Sequence, residues 1–140
     1  MRPTVSEQLV GLRRVLADVV APEVTDAYAA DVLDGALSTL QLLADGWAHV
    51  PSFLGWDIEA TGRVLELVGV PVPSPRDDPL DIAALQERDR HLRELLVRSM
   101  PLVLEHPEAR EAAVRLFRDR AERYPIAAQR RGGPAAHPTR

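Results

Sequence analysis

The residues that could do chemistry in this chain are few. Asp77-Asp78-Pro79-Leu80-Asp81 has the spelling of a magnesium-binding acid string, DDxxD, in which carboxylates on one helical face share the cation. Here a proline lies inside the string and a helix is expected to open there. The acids are therefore read as capping groups at the positive end of the helix dipole. Asp31, Asp34 and Asp45 are a second acidic set. A di-metal helical bundle needs inward Glu residues and Glu-x-x-His pairs, and the chain has no such pair. These aspartates fall opposite an apolar stripe and read as a solvated face. No metal and no cofactor is expected.

The segment Trp47-Ala48-His49-Val50-Pro51-Ser52-Phe53-Leu54-Gly55-Trp56-Asp57 gathers both tryptophans, one of the two phenylalanines and a histidine. It reads as a helix–helix connection, with Pro51 forcing a break and Asp57 capping the next helix. Trp47, His49, Phe53, Trp56 and Asp57 are thus the candidate lining of a small-molecule pocket, with His49 as its acid/base group. No nucleophile or oxyanion donor accompanies them. The competing reading is structural: the aromatics plug the end of a bundle and His49 sits at the negative end of a helix.

Asp89 is the acid most at odds with its surroundings, because it falls among Ile82, Leu85, Leu92 and Leu96 on a helical wheel. Arg93, four residues on, stands in favourable acid-before-base order. A buried carboxylate needs a partner, so Asp89 and Arg93 are expected to form a buried or interface ion pair. His91 faces outward, His106 is read as a cap beside Pro107, and His137 lies in the C-terminal tail.

Composition narrows the classes. All 17 basic residues are arginine, and Cys, Lys and Asn are absent. This excludes disulfides, cysteine nucleophiles, lysine Schiff bases and the P-loop lysine. Residues 1–75 carry four Arg against ten acids, and residues 76–140 thirteen Arg against eleven. An acidic front half and interleaved charges behind it argue against a nucleic-acid binder. No apolar run approaches the ~18 residues of a membrane span, and the first residues do not have the pattern of a signal peptide. The expectation is a soluble, cytoplasmic protein, with no nucleic-acid or membrane partner.

The elements that must position these residues are helices. Thr4 and Glu7 have capping-box spacing, and Leu9, Leu12, Leu16 and Val19 follow at helical period up to Pro22. A second helix, capped at Thr25, carries Ala29, Leu33, Ala36, Leu40, Leu43 and Trp47 toward the core, with Val32 and Leu37 beside them. The third runs from Asp57 to Gly69 with Ile58, Thr61, Leu65 and Val68 inside. Val70-Pro71-Val72-Pro73-Ser74-Pro75 reads as an extended connector. Asp78-Pro79 opens the fourth helix, which ends near Arg98 before Ser99-Met100-Pro101. His106-Pro107 opens the fifth, with Ala113 or Val114, Phe117, Ala121 and Tyr124 on its stripe. The fold class is all-α: a compact bundle of about five helices over residues 1–125, with a disordered tail at 126–140.

Arg2-Pro3-Thr4, Leu12-Arg13-Arg14-Val15-Leu16, Ala21-Pro22-Glu23 and Asp81-Ile82-Ala83-Ala84-Leu85 are similar to words in a group of uncharacterised small helical proteins. Those proteins are common in GC-rich bacteria and are often encoded beside acyl-CoA dehydrogenases and aminoglycoside-phosphotransferase-like kinases. The likeness spans about residues 2–100 and carries no catalytic motif. It implies an association with acyl-CoA or related small-molecule metabolism. The expected function is that of a non-enzymatic accessory or interaction protein, a homo-oligomer or the partner of a metabolic enzyme. The alternative is a small-molecule-binding or enzymatic bundle using the Trp47–Asp57 segment.

Overall fold

The computed structural model describes residues 2–74 and 81–125, and they contain five α-helices and no strand. The expected tail at 126–140, and with it His137, lies outside the described residues. So do Asp77, Asp78 and Pro79. No helix among the described residues is long and apolar enough to cross a membrane. The described chain divides into two compact units, residues 2–49 and 50–125.

The first unit is a helical hairpin. Helix α1 (Val5–Val15) opens on the expected capping box. The Thr4 hydroxyl accepts from the Glu7 amide, and Glu7 accepts from the Thr4 amide at 2.7 Å. That hydrogen bond from the Thr4 backbone is the main reason the Glu7 carboxyl is held below its ordinary range. A π turn (Leu16–Val20) and a 3-10 turn (Ala21–Glu23) containing Pro22 end the helix. Helix α2 (Ala27–Gly46) is capped by Asp26, whose carboxylate accepts from the Ala29 amide at 2.8 Å. The expected cap, Thr25, is one residue too early. The apolar stripe of α2 was expected to be core, but Ala29, Val32 and Ala36 are exposed, and Leu33, Leu37, Leu40 and Leu43 are only half-buried. A hairpin gives each helix a single neighbour, and one neighbour does not cover so wide a stripe.

A 3-10 turn (Trp47–His49) leads into the second unit. Helix α3 spans Val50–Leu67. The aromatic segment is therefore helix from Val50 onward. Pro51 sits in the first turn, where its missing N–H is no loss, so it starts the helix instead of breaking it. Asp57 is accordingly no cap; it lies mid-helix. The far end is where it was expected. Gly69 adopts φ 72°, its amide donates to the Glu66 carbonyl, and the Val70 amide donates to that of Leu65. This is a Schellman stop, and glycine takes the left-handed conformation without Cβ strain. Beyond it the extended connector turns Val70 and Val72 onto the core and leaves Pro71 and Pro73 exposed.

Helix α4 (Ile82–Glu105) is capped by Asp81, which accepts from the Ala83 and Ala84 amides, so the helix opens later than Asp78-Pro79. It also runs straight through Pro101. Asp89, Leu92, Leu96, Ser99 and Val103 hold one buried line at helical period on both sides of the proline. Pro101 and Val97 lie on the exposed side, where water can solvate the freed carbonyl. Helix α5 (Pro107–Arg123) starts with Pro107 at its first position, as expected. The His106 side chain, however, donates through Nδ1 to the Leu102 carbonyl at 2.9 Å, closing the end of α4. The buried line of α5 is Ala109, Ala113 and Leu116, while Val114, Phe117 and Tyr124 remain exposed. The core of this unit joins Val64, Leu65, Leu92, Leu96, Val103, Ala109, Ala113 and Leu116 from all three helices.

Candidate functional site

The helix register that places Phe53 and Val64 inside also places Asp57 and Thr61 inside. Both are fully buried in α3. Asp89 comes to the same region from α4, Arg93 follows one turn later, and Arg120 continues the buried line of α5. The Arg93 guanidinium donates through Nε and Nη2 to Asp57 Oδ2, at 2.9 and 2.6 Å. Arg120 donates through Nε to Asp57 Oδ1 at 2.8 Å and through Nη2 to the Thr61 hydroxyl at 2.9 Å. Arg93 Nε also lies 2.9 Å from Asp89 Oδ2, so the structure brings together the pair expected from sequence. One carboxylate thus ties three helices, with a guanidinium on each of its oxygens.

The electrostatics split the two acids. Burial pushes the Asp57 carboxyl up, but hydrogen bonding from Asp89 and Arg120 and the charges of Arg120 and Arg93 hold it below the ordinary carboxylate value. Burial, then hydrogen bonding and the charge of Asp57, push Asp89 up to about 7, against the pull of Arg93 and Arg120. Asp89 Oδ1 is buried with no hydrogen-bond partner, so a proton placed there displaces no existing bond. The cluster can take up or release one proton near neutrality. It holds no open position for a substrate, because Asp57 is enclosed and both its oxygens are engaged.

The residues of the expected pocket have separate places. Trp47 and His49 lie on the 3-10 turn that ends the first unit, whereas Phe53, Trp56 and Asp57 belong to α3. Phe53 stacks edge-on against Tyr124, with ring centres 5.4 Å apart, and lies 5.9 Å from Trp56. The Arg123 guanidinium covers Trp56 at 4.6 Å. These aromatics join the start of α3 to the end of α5. An open recess of about 560 Å³ lies elsewhere, between Pro73 and Ser74 of the connector and Glu87, Arg88 and His91 of α4. There Arg88 Nη2 donates to the Pro73 carbonyl at 2.7 Å. Among the described residues no three His, Asp or Glu side chains gather as metal ligands.

Sequence reasoning missed Asp57 as a buried acid, and missed Arg120 altogether. The signal for Asp57 was the spacing Phe53, Asp57, Thr61, Val64, masked by reading Pro51 as a break. The signal for Arg120 was Ala109, Ala113, Leu116, Arg120, masked by following the neighbouring line of Phe117, Ala121 and Tyr124 instead.

The hairpin contrasts with this cluster. No side chain of α1 or of its π turn is buried. Val5, Leu12, Val15 and Val19 on that side, and Tyr28 and Val32 on α2, are exposed apolar residues. Comparison with family models, with curated proteins and with solved structures found no match.

Proposed function

We propose that this protein is a non-enzymatic helical accessory protein that works by docking a helical partner on its α1–α2 hairpin. The observation that carries this reading is the set of exposed apolar residues on the hairpin. Val19 is 62% exposed and Val32 55%. Monomeric proteins rarely leave apolar patches larger than a few hundred Å² open to water, and those that do use them for binding. The enclosed Asp57 cluster fits a rigid platform better than a reaction centre. The resemblance to proteins encoded beside acyl-CoA dehydrogenases supports placing this work in acyl-CoA or related small-molecule metabolism.

The test is binding of the apolar-surface dye ANS, measured together with mass by sedimentation. Dye bound by the monomer and lost in Val32→Glu, or a face already covered in an assembly, supports the reading. A monomer that binds no dye overturns it.

A further inference from the structure

The buried charges sit where α4 is least tied to its unit. Asp57 and Asp89 stand about two turns from the starts of α3 and α4, and Arg120 about one turn from the end of α5. The turn at His106, which joins α4 to α5, is about 24 Å further along α4. There Val103 and Ala109 are fully buried, so that end is closed by the chain and by aliphatic packing. At the charged end, α3 and α5 hold one another through Phe53 against Tyr124 and Trp56 beneath Arg123. Helix α4 shares neither aromatic contact. Asp89 is its first buried residue, and Ile82, Ala84, Leu85 and Arg88 before it are only half-buried.

The groups that face Asp89 do not satisfy it as an anion. Asp57 faces it from α3, Arg120 from α5, and Arg93 from the next turn of its own helix. Arg120 is already engaged by Asp57 Oδ1 and the Thr61 hydroxyl. Arg93 reaches Asp89 Oδ2 while also holding Asp57 Oδ2, and turning it wholly to Asp89 would strip that oxygen. No donor meets Asp89 Oδ1. A neutral Asp89 carboxyl asks for less, because it donates to the Asp57 carboxylate and keeps no charge from water. Once ionised, it sets a second negative charge beside the first, with one oxygen bare. Water is the donor left to supply, and the weakest cover over Asp89 is the start of α4.

We propose that Asp89 is a proton latch: protonated, it holds the first two turns of α4 against α3 and α5, and ionised, it releases them. Release is local. Residues 82–88 lift while Leu96, Val103 and Ala113 stay packed. No hairpin residue takes part, so the latch stands or falls apart from the docking reading above. Linkage sets its direction. The closed form keeps a proton that the open form, with Asp89 in water, gives up, so rising pH favours opening by up to about tenfold per unit.

The experiment is amide hydrogen exchange on the full chain at pH 5 and pH 8, corrected for the intrinsic exchange rate. The amides of residues 85–89 should be less protected than those of residues 103 and 113 at both values. Their protection should fall about tenfold or more from pH 5 to pH 8. In Asp89→Asn the amide donates to Asp57 and has no proton to lose, so the fall should vanish. His91→Gln removes a histidine from the exposed side of the same helix and should keep it. The carboxyl carbon shift of Asp89 in the parent, followed by NMR, should titrate above the ordinary carboxylate range, whether or not Asp89→Asn folds. Titration in the ordinary range overturns the latch. So does protection that is flat with pH, or a fall that disappears in His91→Gln. Equal protection at residues 85–89 and at 103 and 113 would mean that α4 opens only with the whole unit, which also overturns it.

Discussion

The hairpin and the three-helix unit reverse the usual relation between polarity and burial. Helix α2 is charged only over one arc yet buries just Ala44 and Gly46, whereas the unit after it encloses two aspartates and a threonine. The difference lies in the number of neighbours. Each of α3, α4 and α5 packs against the other two, so even a charge is closed over once it falls on the shared side. Within its own unit each hairpin helix has one other helix to pack against, so even a valine stays wet. Apolar character states what a helix can bury; neighbours decide what it does bury.

The sharpest way to break this comparison is to truncate one side chain in each region. Asp57→Ala strands Arg120 and leaves Arg93 with Asp89 alone, and should cost on the order of 3–5 kcal/mol, the usual loss when one partner of a buried pair is removed. Urea unfolding checks it, and a loss below about 1 kcal/mol would mean the three helices do not depend on the carboxylate.

Next in size is the proton on Asp89. Its folded-state value is raised from 3.8 to about 7, so between those pH values the folded chain keeps a proton that the unfolded chain releases. Stability from this group is therefore greatest at or below about pH 4, falls as pH rises through the interval, and levels off above about 7. The total is a few kcal/mol, at about 1.4 kcal/mol per unit. Asp57 has the opposite sign and costs stability only on acidification below its ordinary range. Asp89→Asn should flatten the slope between pH 4 and 7 and gain on the parent at pH 8. Parallel urea midpoints for the two proteins across that range would refute the assignment.

Thr61→Val removes the hydroxyl that accepts from Arg120 while Asp57 still holds the same guanidinium, so about 1 kcal/mol is expected in urea unfolding. The smallest effect belongs to the hairpin. Val15→Ala should lie within about 0.5 kcal/mol of the parent in urea unfolding. A larger loss there would show that Val15 is covered within the single chain, and the contrast between the two regions would close.

Much of the secondary structure was legible because it rests on local physics. Thr4 with Glu7, Gly69 and Pro107 mark ends through hydrogen bonds and dihedral limits that need no distant partner. Asp89 was legible as an anomaly, and Arg93 as its partner, because both lie on one helix at an interval of four. Prolines misled where only their sequence context was read. Pro51 and Pro101 look alike in sequence, yet one opens a helix and the other rides on the solvent side of one.

The sequence by itself determined that this chain is helical, where most of its helices stop, and that Asp89 and Arg93 are candidates for a buried or interface ion pair in α4. Only the tertiary structure decided that the partner serves two acids, that Asp57 and not Asp89 is the shared carboxylate, and that Arg120 completes the set. It also left much of the apolar stripe of α2 exposed or only half-buried. The physical reason is the same in each case. A helix's period sets which side chains share a side, but burial and pKa depend on what approaches that side from elsewhere in the chain.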